Sequence, residues 1–282
     1  MYTENYCICG VSIQVSAPQP IKKDAQGTLF CAETEKTDLC IALEAAEALP
    51  QPAGTLCGTA GEKQTWRSGS TVTRQTKDRF RTQPHLQVRY DLQDVSRVQA
   101  IARREDWPWA TGTKYLWTGV ALNQLMLHFR TMFFHASYVA YQGQGILFTA
   151  PSGTGKSTQA ELWRKHRGAE IINGDKAAVS LREQPMLHSI PFSGTSGICK
   201  NVSLPLKAVV VLSQAPQNTV RRMGPAEIVS ALCPNVFADQ TVPEEWSLLL
   251  NLLLDLATSV PVYALACTPD ERAVQALESV LF

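Results

Sequence analysis

The stretch Leu147-Phe-Thr-Ala-Pro-Ser-Gly-Thr-Gly-Lys-Ser-Thr158, continued by Gln159-Ala-Glu-Leu-Trp-Arg-Lys-His-Arg-Gly168, decides the reading of this chain. The apolar run from Gly145 to Ala150 predicts a β-strand, the glycines a tight turn, and the residues from about Gly155 a helix. In that strand–turn–helix setting the stretch reads as a phosphate-binding P-loop. Gly153 and Gly155 let successive backbone N–H groups turn toward one anion with no Cβ in the way. The helix N-terminus adds its unpaired N–H groups and its positive dipole end. Lys156 has the reach for β- and γ-phosphates, and the Ser157 hydroxyl suits a Mg²⁺ shell. Ser152, Gly153, Thr154, Gly155, Lys156, Ser157 and Thr158 are therefore the expected nucleotide-binding residues, with ATP and Mg²⁺ as the expected cofactors. The pattern departs from G-x-x-x-x-G-K-[ST] at its first position, where Ala150 replaces glycine, the mildest change available.

Downstream, Arg164-Lys-His-Arg167 and Gly168 end the helix, with cations in the last turn and a glycine just beyond. Glu170-Ile-Ile-Asn-Gly-Asp175 then reads as a short strand with a carboxylate at its far end. An acid in that place after a P-loop faces Mg²⁺ or the attacking hydroxyl, so Asp175 is expected to be catalytic and, with Ser157, metal-binding. Further on, His188 to Asn201 is a second loop of small residues. Gly194 and Gly197 free its backbone, and Ser193, Thr195, Ser196 and Lys200 offer donors to a phosphate or substrate; a solvated turn is the plainer reading.

Upstream, Leu116, Val120, Leu122, Leu125, Phe129 and Met132 recur at helical spacing, which predicts one core helix from Tyr115 to Phe134. Asn123, Gln124, His128 and Arg130 interrupt it, so it is not a membrane span. His135 is expected to end that helix, before a strand Ser137 to Tyr141 and a turn at Gln142 to Gly145. At such a junction a histidine either assists chemistry or holds a structural hydrogen bond.

The chain has 282 residues, enough for one large or two small domains. Hydrophobic residues make up 45%, charged residues 18%, and the net charge is +1, which gives no electrostatic case for nucleic acid or anionic membrane. The N-terminal residues lack the pattern of a signal peptide. Eight cysteines include no C-x-x-C pair, so a zinc site is not expected and a reduced, cytoplasmic setting is. Cys7 and Cys9 are expected on one face of a strand. Val11, Ile13 and Val15 alternate, as do Leu86, Val88 and Tyr90, so residues 1–100 read as a β-rich domain; Pro50 to Thr76 reads as turns and a loop. Residues 101–282 read as the P-loop domain. Within it Leu206 to Leu212 is a buried strand, and Glu244 to Thr258 a helix with Ser247, Asn251 and Asp255 on its exposed stripe. A last strand, Pro261 to Cys267, precedes a helix with Thr268 as N-cap and Pro269 first.

The run His135-Ala-Ser-Tyr-Val-Ala-Tyr141, the P-loop, and Gly168-Ala-Glu-Ile-Ile-Asn-Gly-Asp175 together resemble the HPr kinase/phosphorylase-like family, over roughly residues 130 to 212 and weakly beyond. The resemblance implies a phosphoenolpyruvate-carboxykinase-like fold, an α/β (α+β) domain with its P-loop on a mixed sheet. It implies an active-site role for His135, alongside Asp175 and Lys156. That family carries two Asp residues after the strand that follows the P-loop helix; here Gly174 stands for the first, and Asp175 alone is kept. The family's phosphocarrier-docking segment is not found. The resulting expectation is an ATP-dependent kinase acting on a hydroxyl, a serine of a protein or peptide. The alternatives are a small-molecule kinase and a nucleotide-binding regulatory module reduced in catalysis. The partners expected are a nucleotide and a hydroxyl-bearing acceptor, with no nucleic acid and no membrane, and with room for a homo-oligomer.

Overall fold

The structure, a computed structural model, describes residues 1–77, 83–194 and 196–282. It is an α/β protein with a β-rich N-terminal part and a second mixed sheet. Contacts divide it into two units, Met1–His128 with Asp239–Trp246, and Phe129–Ala238 with Ser247–Phe282.

The first unit is built on a mixed eight-stranded sheet. Its strands are β1 (Tyr2–Ile8), β2 (Val11–Ala17), β3 (Leu39–Ala46), β4 (Thr55–Ala60), β5 (Lys63–Ser68), β6 (Thr71–Thr76), β7 (Leu86–Asp91) and β8 (Arg97–Arg103). They stand in the order β1-β2-β3-β8-β7-β6-β5-β4, with β2, β3 and β8 parallel to their neighbours in that group. Four short helices accompany it: α1 (Ala25–Thr28), α2 (Trp107–Ala110), α3 (Thr113–Gly119) and α4 (Leu122–His128). Val11, Ile13 and Val15 bury one face of β2, as their alternation predicts. Cys9 is not in the strand: Cys9 and Gly10 both have positive φ (54° and 70°) and form the two-residue hairpin turn between β1 and β2.

Pro50 to Thr76 is strand rather than loop from Thr55 onward, a meander of β4, β5 and β6. One face of it carries buried Thr65, Arg74 and Thr76, and Thr73 is buried on the other, so a hydrophobic alternation is missing from the sequence. The partners of Arg74 explain that polarity. Its guanidinium bonds Glu245 at 2.6 Å, and Glu245 also accepts from the Tyr90 hydroxyl (2.5 Å) and the Gln124 amide (3.1 Å). Asp239 stands 3.4 Å from the same guanidinium. Arg74 and Glu245 are both fully buried, a state tolerable because the charges are paired and both Glu245 oxygens are bonded, although the Arg74 Nε has no partner among the described residues.

The second unit holds β9 (Thr131–Tyr141), β10 (Gln144–Thr149), α5 (Lys156–Arg167), β11 (Glu170–Asn173), β12 (Lys176–Leu181), β13 (Pro185–His188), β14 (Ser203–Gln214), β15 (Thr219–Arg222), α6 (Pro225–Leu232) and β16 (Val262–Cys267). Two more helices complete the chain, α7 (Pro243–Ser259), whose first residues belong to the first unit, and α8 (Glu271–Leu281). The sheet runs β10-β9-β12-β13-β14-β16-β15, and β10 also pairs with β14, so five strands close on themselves. β10, β14 and β16 are mutually parallel. The face beneath α5 and α8 is the core: Phe148, Trp163, Val210, Leu265, Val274 and Leu277 are among its fully buried members. Burying each of these larger side chains contributes about 1.5–3 kcal/mol.

The helix expected from Tyr115 to Phe134 is broken. Ala121 (φ 55°) and Arg130 (φ 52°) adopt left-handed backbone, separating α3 from α4 and α4 from β9. His135 therefore does not end a helix; it lies within β9, whose Phe-rich and β-branched run favours a strand. The last helix is capped by Asp270, which accepts from Arg272 N–H at 2.9 Å, and Thr268 instead donates its hydroxyl to Asp270. Ser247, Asn251 and Asp255 are exposed on α7 as expected. Among the described residues no helix is long and apolar enough to cross a membrane.

Candidate active site

The P-loop follows β10 and opens α5 with Lys156. Gly153 (φ 79°) and Gly155 (φ 119°) both occupy left-handed backbone, the conformations for which the sequence supplies glycine. Ala150 is fully buried in the core below the loop, so the residue that replaces glycine faces the sheet. The Lys156 ammonium folds back onto the loop, donating to the carbonyls of Ala150 (2.8 Å) and Pro151 (3.2 Å). Burial lowers its pKa and the Asp175 charge opposes that shift. Ser157 and Thr158 are exposed in the first turn of α5, where N–H groups have no intrahelical acceptor.

Asp175 sits between β11 and β12, at the bend where β11 and β12 both lie against β9. The bend is fixed by buried Asn173, whose side-chain oxygen accepts from Asp175 N–H (3.1 Å) and Lys176 N–H (3.0 Å). β9 completes it: Ser137 donates its hydroxyl to the Gly174 carbonyl at 2.7 Å, and Ala136 N–H donates to the Asp175 carbonyl at 3.1 Å. His135 is half-buried among buried neighbours, and its Nδ1 lies 3.2 Å from that same Asp175 carbonyl. A carbonyl can only accept, so this bond requires the Nδ1–H tautomer and leaves the Nε2 lone pair open. Desolvation and the Lys156 charge hold the His135 pKa below its ordinary value, which keeps the ring neutral at neutral pH. The sequence-predicted Lys156, Asp175 and His135 are thus brought into one electrostatically coupled cluster.

The second small-residue loop closes on this cluster. Ser196 N–H donates to the Asp175 carboxylate at 2.9 Å, and Gly194 also donates from its backbone. Partial burial pushes the carboxyl up, but these bonds and His135 outweigh it, so its pKa falls below the usual carboxylate value. Two glycines make the approach feasible. A Cβ on Gly174 would stand 2.5 Å from the Ser196 hydroxyl, and one on Gly194 would stand 2.7 Å from Asp175. Of the other residues expected to meet substrate, Thr195 lies outside the described residues, and Lys200 is engaged in an exposed ion pair with Glu170.

One cation of the cluster went unanticipated. Lys176, in register with His135 across β12 and β9, places its ammonium 4.6 Å from the Phe192 ring centre and 5.3 Å from that of Phe237. Cation–π attraction from two rings steadies it beside Asp175. The only sequence signal is its adjacency to Asp175; the rings come from residues far along the chain.

A family model described as SynChlorMet cassette protein ScmC matches residues 119–282, more than half of the chain. Among solved structures, the HPr(Ser) kinase/phosphatase from Coxiella burnetii is matched at 10% identity and a TM-score of 0.31, over 52% of this chain and 95% of that one. A likeness that slight supports no argument about activity. No curated protein matches the chain.

Proposed function

The chain belongs to the SynChlorMet cassette protein ScmC family, and we propose that it is an ATP-dependent phosphotransferase that moves the γ-phosphate to a hydroxyl acceptor. The observation that carries this reading is the convergence of a P-loop lysine, a neutral histidine and a hydrogen-bonded aspartate on one site. Binding alone needs the loop and Lys156. A carboxylate and an imidazole with an open lone pair beside them supply what transfer to a hydroxyl adds.

Each group takes a role from its geometry. The turned-in backbone of Ser152 to Gly155 and the first N–H groups of α5 receive the phosphates. Lys156 leaves the Ala150 and Pro151 carbonyls to offset charge on the transferring group. The hydroxyl of the acceptor lies against Asp175 or His135 Nε2. The depressed pKa makes Asp175 a weak base and a good aligner; neutral His135 offers a second proton acceptor through Nε2. Phosphoryl transfer has a loose transition state, so alignment outweighs early proton removal. Lys176 is placed to hold a second phosphate oxygen or an anionic group of the acceptor.

The donor set fits Mg²⁺. The Ser157 hydroxyl and the Asp175 carboxylate are hard oxygen ligands, and among the described residues no group of three or more His, Cys, Asp or Glu forms a protein-only metal site. Mg²⁺ is commonly held that way, by one or two protein oxygens with phosphate and water completing the shell. When bound, it would offset charge on the β- and γ-phosphates.

Gly174 bears on direction. The space that a second carboxylate would need is filled by Ser196, which favours a site working with Asp175 alone. A serine of a protein or peptide is the acceptor this reading favours. Incubation with γ-labelled ATP and a host lysate divided by size tests it: label in macromolecular fractions supports a protein acceptor, and label in small fractions supports a small one.

A further inference from the structure

Beside the P-loop, at the carboxyl ends of the parallel strands β14 and β16, lies a cleft of about 550 Å³. Gly153, Thr154 and Gly155 form its rim, and its walls include Leu212, Ala215 and Pro269. Crevices outside the carboxyl ends of parallel strands are where open α/β sheets take ligands, and the volume is within the range of small-molecule sites. Gln214, at the end of β14, donates to the carbonyls of Gly153 and Thr154 at 3.4 Å each, tying the cleft to the loop.

One polar group in the wall is unexplained by the fold. Gln159, one turn into α5, is 2% exposed; its amide Nε2 lies 3.2 Å from the Cys267 sulfur, while its Oε1 has no partner among the described residues. A buried acceptor without a donor calls for an explanation, and beside an open cleft a bound group that completes the bonding is one. The geometry points to this cleft as the seat of the nucleobase, with the Gln159 carbonyl accepting from a base N–H. This rests on the reading of the P-loop as a triphosphate site. With the Gln159 amide nitrogen turned to Cys267, its carbonyl calls for an N–H donor, which both purine bases carry, adenine in its N6 amino group and guanine in its N2 amino group. Leu212, Ala215 and Pro269 supply apolar surface for the flat ring, and the Cys267 thiol forms part of the floor.

The thiol provides a readout independent of activity. Wild-type protein would be alkylated with N-ethylmaleimide, with Cys267 followed by peptide mass mapping and exposed Cys40 and Cys57 serving as internal controls. At ATP ten times its Kd, Cys267 should react about tenfold more slowly, while inorganic tripolyphosphate, binding at the P-loop, should leave its rate unchanged. Calorimetry should give ATP and GTP affinities about tenfold above tripolyphosphate, and Gln159→Leu should reduce that margin without abolishing triphosphate binding. ATP binding no tighter than tripolyphosphate, or ATP binding that leaves Cys267 fully reactive, would overturn the assignment while leaving the P-loop intact. No binding by any of the three ligands would sink the P-loop reading and the base site with it.

Discussion

Each unit of this protein gathers charged side chains into contact, and the two gatherings are built differently. In the first, Arg74 and Glu245 are fully buried, and both carboxylate oxygens of Glu245 are taken, by Arg74 and Gln124 on one side and Tyr90 on the other. In the second, Lys156 bonds only its own loop, His135 keeps an open ring nitrogen, and Asp175 is partly exposed. Charge buried in a network whose carboxylate is fully engaged is out of a ligand's reach. Charge left half-satisfied and partly exposed at a glycine-bearing turn is not. The difference teaches that the character of a polar cluster is read from the valences it leaves within reach of a ligand rather than from the residue types it contains.

The sharpest way to break this contrast is to remove one partner from each cluster. Glu245→Ala strands a buried guanidinium and should destabilise the protein by about 3–5 kcal/mol, read as a lower urea midpoint for the first unit. Replacing Arg74 and Glu245 together by apolar residues of similar volume should cost less than Glu245→Ala alone. Asp175→Asn should do the reverse. Transfer should fall by about a thousandfold, near 4 kcal/mol in barrier, while the melting temperature and ATP affinity change little.

The contrast also accounts for what the sequence told. The glycine-bearing turn and its lysine are legible because they are consecutive: Gly153, Gly155 and Lys156 stand within a few residues of one another at the start of α5. The position of Asp175 just after a short strand is legible in the same way. The Arg74 network was not, because Glu245 stands 171 residues along the chain from its partner. Separation in sequence also hid Phe237 behind Lys176, and the Ser196 N–H that holds Asp175 is 21 residues away. The helix expected from Tyr115 to Phe134 failed for another reason. Its breaks fall at Ala121 and Arg130, non-glycine residues in left-handed backbone that no local preference announces.

pH separates the two kinds of group within the second unit. His188 is buried, bonded through both ring nitrogens to Ser180 (2.8 Å) and Ser203 (2.7 Å), and desolvation drops its pKa from 6.5 to about 4. Its folded pKa is below its unfolded one, so the unfolded chain takes up a proton first as pH falls. The stability that neutral His188 allows is therefore complete above pH 6.5 and is lost as pH falls toward 4. The loss should be about 3 kcal/mol, and His188→Asn should flatten it in denaturant titrations across that window. His135 is also depressed but partly exposed, so its protonation should appear in the rate of transfer, falling at acid pH, more than in stability.

The smallest effect concerns the close approach of the second loop. Gly174→Ala places a Cβ against the Ser196 side chain and should cost about 1–3 kcal/mol. Its mark should be a raised Asp175 pKa, since the Ser196 bond that depresses it is displaced, visible as a shifted carboxyl titration by NMR.

The most direct measurement of the central claim is transfer of label from γ-labelled ATP with Mg²⁺ into a host lysate, with wild type run beside Lys156→Ala and Asp175→Asn. The account predicts labelled acceptor with wild type, none with Lys156→Ala, which should also lose ATP binding, and about a thousandfold less with Asp175→Asn, which should keep it. Tight ATP binding by wild type with no acceptor labelled in any fraction would contradict it and leave a nucleotide-binding module in place of a kinase.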